Sequence, residues 1–331
     1  MNMKKIGMTA LAASLVSVSA NAAELTATGG ASINAGHYSS GADLSYGKSF
    51  TMGNSVVLSG SGETENGINV SVSFEMDQGT ANNSDKGFDN HSVTVGNDTL
   101  GTLIFSGHGG NSTTTAINTT AAGDIWDTFN GDLNGSLDGN NPTGVAIKEA
   151  SAGNNSFFYT APTLMDGVGI TLSYNPHNDV ETDSKGAIGY GISYSGIDGL
   201  SVSYAATSIS THTTATDGDN TALSVKYAYG PVTVGYSMNE HDVGAVANDQ
   251  DLTSYAISYT VSENLSVSYG FEEIESGTAA DQDAEYTKIS ASYTTGGVTL
   301  SASFQEAENI VHGTAANQDQ DFYGLGASFA F

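Results

Sequence analysis

The sequence contains no cysteine and no arginine, and proline occurs only 4 times in 331 residues. Without cysteine there is no disulfide framework and no thiolate metal site. Eight lysines stand alone against 36 acidic residues, a formal net charge of −28. Phosphate contact needs a basic surface, so nucleic acid is excluded as a partner. Charged residues make up 13%, well below the ~25% of an ordinary soluble domain. After residue 22 no apolar run approaches the ~18 residues of a membrane-spanning helix. If the chain crosses a membrane, it crosses as strands. The seven histidines show no metal spacing such as H-E-x-x-H, and there is no nucleophile elbow or phosphate loop. Asp124 and Asp127 flank the single tryptophan, Trp126, with no partner that would mark an acid–base pair. An enzyme is not expected.

Glycine is abundant instead, at 41 residues, above the usual ~7%. Residues 1–22 read as a secretory signal peptide: Lys4 and Lys5 lead a short apolar stretch, and Ala20, Asn21 and Ala22 form a small-x-small cleavage site. Residues 23–331 then form the exported domain. They keep six lysines and all 36 acids.

That domain alternates with period two. Ile188, Tyr190, Ile192 and Tyr194 interleave with Gly189, Gly191 and Ser193. After a short turn, Leu200, Val202 and Tyr204 interleave with Ser201 and Ser203. Alternation puts apolar side chains on one sheet face and small polar ones on the other. The pattern predicts sixteen strands, near 24–37, 46–62, 68–76, 89–96, 100–107, 155–163, 167–175, 187–195, 199–207, 221–229, 232–239, 252–261, 265–272, 285–294, 298–305 and 321–331. The first two are the least regular, interrupted by Gly29, Gly30 and Gly53. Tight turns alternate with long acidic connections at 77–87, 176–186, 208–220, 240–251, 273–283 and 306–320. Short turns at one end and long loops at the other are the pattern of a transmembrane antiparallel β-barrel. Tyrosines and phenylalanines at strand ends suit interfacial aromatic girdles.

Residues 108–154 break the rhythm. A connection this long is functional or disordered, and sixteen strands enclose an aqueous channel. The segment can fold inward and narrow that channel. Its charges are Asp124, Asp127, Asp132, Asp138, Lys148 and Glu149. By parity Lys226 and Lys288 fall on the lumen-facing side of their strands. Asp281, Asp283 and Glu285, or Asp319 and Asp321, offer oxygen ligands for a structural calcium, but no complete twelve-residue calcium loop is present. A solvated acidic surface is the simpler reading, and no cofactor is expected.

Four stretches carry a family resemblance: Leu58-Ser59-Gly60-Ser61 through Asn66-Gly67 to residues 68–74, Leu100-Gly101-Thr102-Leu103-Ile104-Phe105, Asn155-Ser156-Phe157-Phe158-Tyr159, and the final Tyr323-Gly324-Leu325-Gly326-Ala327-Ser328-Phe329-Ala330-Phe331. In order and spacing the chain resembles the general porins of alphaproteobacteria, the Rhodobacter-type group, over nearly all of residues 23–331. The resemblance implies a homotrimer of sixteen-stranded barrels in the Gram-negative outer membrane, among lipid and lipopolysaccharide. It also implies a third external loop folded into each pore, with carboxylates facing a basic wall cluster. Gly326, Phe329 and Phe331 resemble the signal read by the barrel-insertion machinery. The chain departs from the family in having no arginine, so the basic wall should be sparse. An acidic pore attracts cations, so passive diffusion of small hydrophilic solutes with cation preference is expected. A closed barrel displaying acidic loops, as a structural or adhesive surface protein, is the alternative. A soluble exported β-sandwich is a third reading.

Overall fold

The computed structural model describes residues 24–40, 45–77, 88–117, 120–130, 144–148, 153–176, 184–211, 217–244, 249–278, 280–313 and 318–331. The expected signal peptide lies outside the described residues. Sixteen strands follow in order: β1 Glu24–Ser40, β2 Ser45–Glu63, β3 Asn69–Asp77, β4 Asn90–Asn97, β5 Gly101–His108, β6 Ser156–Thr160, β7 Val168–Asn175, β8 Ser184–Tyr194, β9 Leu200–Thr211, β10 Gly218–Tyr229, β11 Val232–Val243, β12 Gln250–Ser262, β13 Leu265–Ser276, β14 Ala284–Thr295, β15 Val298–Glu308 and β16 Gln320–Ala330. Each pairs antiparallel with its sequence neighbours, and β1 pairs with β16, so the sheet closes into a barrel. Closure leaves no free edge, which a sheet in lipid requires.

The alternation has the expected cause. Ile188, Tyr190 and Ile192 lie exposed on the outer face of β8, with Ile257 and Tyr259 on β12 and Ile289 and Tyr293 on β14. Exposed apolar residues in such rows, on nearly every strand, form the lipid-facing band of an outer-membrane barrel. Tyr194 and Tyr229 end β8 and β10 at the short-turn rim.

One expectation needs correction. Several strands extend further toward the long connections than periodicity predicts: β11 ends at Val243 and not at 239, β13 at Ser276 and not at 272. The outward residues there are Glu240, Asp242, Glu273 and Glu275, so the apolar signal stops while the hydrogen bonding continues. The first two strands form where expected despite their irregular pattern, at 17 and 19 residues. Gly29 does not interrupt the sheet; it makes room for a neighbour. A Cβ there would sit 2.6 Å from the Ser55 carbonyl oxygen and 2.7 Å from the Phe331 ring.

Candidate pore constriction

Residues 109–155 join β5 to β6, and their described parts lie inside the barrel. The path can be followed by its hydrogen bonds. At the entrance the Thr113 amide donates to Ser173 Oγ on β7 (3.0 Å), and the Thr113 and Thr114 hydroxyls meet Thr207 Oγ1 on β9 at 3.2 and 3.1 Å. Further on, the amides of Ala121 and Ala122 donate to Ser237 Oγ on β11 (2.7 Å) and Ser254 Oγ on β12 (2.9 Å). The Trp126 amide then donates to Glu272 Oε2 on β13 at 3.1 Å. Ser237, Ser254 and Glu272 are direct cross-strand partners. They form one row of acceptors along which the segment hangs by its backbone.

A short helix, α1 (Ile125–Asn130), follows. Asp124 precedes it with a positive φ of 49°. Its carboxylate accepts from the Thr120 hydroxyl at 2.6 Å, and its amide donates back to that oxygen at 3.0 Å. This reciprocal pair fixes a left-handed turn that Asp tolerates better than most residues. The helix buries Ile125 and Phe129 against Leu252, Ile274 and Tyr286 of the wall. These residues, with Tyr38, Ala284, Ala307 and Ile310, form an apolar core inside the barrel. The Tyr38 hydroxyl on β1 donates to the Thr128 carbonyl at 2.8 Å. Beyond residue 143 the Val145 amide donates to the Ile310 carbonyl (2.7 Å) and the Lys148 amide to Gln250 Oε1 (2.6 Å). Asn239 Nδ2 donates to the Lys148 carbonyl at 2.9 Å.

Glu272 is fully buried. One oxygen accepts from the loop, while among the described residues Oε1 has no partner, and neither does the Tyr286 hydroxyl in the next strand. A buried carboxylate is costly without compensation, so this residue ties its own solvation to the seating of α1. Glu272 is not among the residues that the sequence marks. Its only signal is parity: even positions on β13 point inward, and Ile274 beside it is apolar.

The expected constriction charges separate as follows. Asp127 projects from α1 beside a lumen space of about 400 Å³ that Asn34, Thr51, Ser301 and Gly326 also line. Partial burial, and secondly the charge of Asp124, push its carboxyl above the ordinary carboxylate range. Asp124 is held by Thr120. Lys148 sits where the segment rejoins the wall. Asp132, Asp138 and Glu149 lie outside the described residues. Lys226 and Lys288 both line a second lumen space of about 290 Å³, under Ala121 and Ala122. Glu75 and Asp77 on β3 line another space, with Ser32 and Ser55. In the sequence parity is again their only signal. Phe329 and Phe331 are exposed on the outer face at the end of β16, where Phe331 and Gly29 exchange two backbone hydrogen bonds of 3.0 Å. Among the described residues no group of three histidines or carboxylates is gathered as a metal ion would require.

The closed sixteen-stranded antiparallel barrel is the fold on which the comparisons agree. The family model for Gram-negative porins matches residues 7–285. The chain belongs to the Gram-negative porin family. Solved porins superpose over nearly the whole chain. An anion-selective porin from Comamonas acidovorans is 16% identical with a TM-score of 0.63, covering 93% of this chain and all of its own. A triple mutant of the Rh. blastica porin is 16% identical with a TM-score of 0.61 at the same coverage. A second Rhodopseudomonas blastica triple mutant is 15% identical with a TM-score of 0.62. At such identity the likeness is one of fold. No curated protein matches the sequence. Family and fold are those of an outer-membrane channel rather than an enzyme.

Proposed function

We propose that this porin is a passive, cation-preferring diffusion channel for small hydrophilic solutes, with residues 109–155 as its constriction. The supporting observation is the seating of that segment inside the barrel, bonded to β7, β9, β11, β12 and β13 and to Tyr38 of β1. It narrows the lumen while spaces of about 400 and about 290 Å³ flank it, whereas a structural plug would fill them. Charge supports cation preference: 36 acids against eight lysines overall, with Asp127, Glu75 and Asp77 lining lumen spaces. Rings of fixed charge set selectivity in such channels. The anion selectivity in the name of the Comamonas porin belongs to that protein. Membership of the Rhodobacter-type group, assembly as a homotrimer, cleavage after residue 22 and recognition of Gly326, Phe329 and Phe331 by the insertion machinery are parts of the same proposal.

Planar-bilayer recording tests it. The protein should give stepwise conductance, and a KCl gradient should give a reversal potential favouring K+ over Cl−. Silence, or clear anion preference, would count against it.

A further inference from the structure

Register places Lys226 and Lys288 in one row. Lys226 on β10 pairs with Gly235 on β11, Gly235 with Ala256 on β12, Ala256 with Gly270 on β13, and Gly270 with Lys288 on β14. Three of the smallest residues therefore separate two lysines at one level of the wall. The reason for the small residues is the segment above them. A Cβ on Gly235 would lie 3.2 Å from the Ala121 Cβ, and one on Gly270 would lie 2.6 Å from the Ala122 Cβ. The next row toward the short turns is all hydroxyl: Thr233, Ser258, Ser268 and Ser290 are successive partners, and Ser268 and Ser290 share a 2.7 Å hydrogen bond.

The result is a recess of about 290 Å³. Its roof is Ala121 and Ala122, a lysine stands at each side, and hydroxyls form its floor. The lysine Cα atoms are four strand steps apart, about 19 Å along a wall that curves inward. Both side chains nevertheless line the same space. Among the described residues neither makes a hydrogen bond or salt bridge, although the Glu272 carboxylate attracts Lys288 from the next row. The carboxylate nearest by register, Glu272, is one row away and fully buried, so it does not fill the recess. Two ammonium groups without ion pairs over a hydroxyl floor suit an anion with several oxygens, since lysine binds phosphate oxygens as a point charge and walls of low dielectric concentrate the field.

We propose that Lys226 and Lys288, with the hydroxyls of Thr233, Ser258 and Ser268, form a binding shelf for a small polyvalent oxyanion of the phosphate type, on the short-turn side of the constriction. The site rests on the channel reading only in assuming that the lumen is open to solutes. In a pore otherwise rich in acid it is a local station for anions. Inorganic pyrophosphate is the probe. Detergent-solubilised full-length protein is titrated with it calorimetrically, and K+ current through the reconstituted protein is recorded as it is added. Saturable binding and a parallel fall in current are expected. Both should shift about tenfold or more to higher concentration in K226M/K288M and return in K226R/K288R. Heat-modifiable gel mobility shows that each variant is folded. Pyrophosphate binding of equal strength in wild type and K226M/K288M, or no binding at all, overturns the shelf. Binding that the double substitution abolishes, in a protein that passes no current, supports the shelf and removes the channel reading instead.

Discussion

The two ends of strands β12–β15 have opposite polarity. Toward the short turns, β13 presents Leu265, Val267, Tyr269 and Phe271 outward and Ser266, Ser268 and Gly270 inward; toward the loops it presents Glu273 and Glu275 outward and Glu272 and Ile274 inward. The same inversion occurs on β12, where outward Ile257 and Tyr255 give way to Asp251 and inward Ser258 and Ser254 give way to Leu252. On β14 outward Ile289 is replaced by Glu285, and inward Ser290 by Tyr286. One hydrogen-bonded sheet thus serves two solvents. In the lower part lipid is outside and water inside. In the upper part water is outside, and inside lies the packed segment between β5 and β6. The outer carboxylates there face one another directly, Asp251 opposite Glu240 and Glu275, Glu285 opposite Glu273 and Glu308. Like charges so placed destabilise a ladder, so the upper sheet depends on its inner face for stability.

Four predictions test this contrast, in order of expected effect. Phe129→Ala empties the inner core and should cost about 3–5 kcal/mol of segment packing. Single-channel records should show larger, fluctuating conductance while the barrel keeps its heat-modifiable mobility; unchanged conductance would mean that the core does not hold the constriction. Ile257→Lys places a charge in the lipid band and should cost about 2–4 kcal/mol of barrel stability. Asp251→Lys, on the same face of the same strand, should be tolerated. Equal losses in urea refolding into vesicles would contradict the boundary between the two solvents.

Glu272→Ala removes the acceptor for the Trp126 amide and should cost about 1–3 kcal/mol, seen as added current noise. Glu272→Gln keeps an acceptor oxygen and should restore quiet records; if it does not, the charge itself matters. The smallest effect concerns Asp127. Its raised pKa means that it takes up a proton at higher pH than an ordinary carboxylate, so on acidification its charge is lost before an ordinary carboxylate's. Between about pH 7 and about pH 4, K+ preference should begin to fall earlier in wild type than in Asp127→Asn, which starts lower and stays flatter. Superimposable titrations of reversal potential would rule Asp127 out as a selectivity group.

The inversion also explains what could be read in advance. Strand number, order and lipid face were legible because outward Ile, Val and Tyr alternate with Ser and Gly wherever lipid is the outer solvent. Above that band the outward positions turn acidic, and residues from Glu240, Glu273 and Glu306 onward looked like loop. The inner core was written in the sequence at the same parity, as Leu252, Ile274, Tyr286 and Phe322 at inward positions, but an apolar residue at the end of a strand is ambiguous until something is seen to cover it. Lys226 and Lys288 could be assigned to the lumen by parity. Their common row could not, because it depends on register carried across the longer connections at 244–249 and 277–283. Glu272 is one acid among 36, and nothing local sets it apart.

The acceptor row of Ser237, Ser254 and Glu272 has a consequence for how such a pore can change. It grips the segment through the amides of Ala121, Ala122 and Trp126, and every residue except proline carries that donor. These three bonds therefore specify no side chain; Ile125 and Phe129, which face the wall, are specified instead by the inner core. A lineage, or an engineer, can exchange the side chains that face the lumen while the segment keeps its path along the wall.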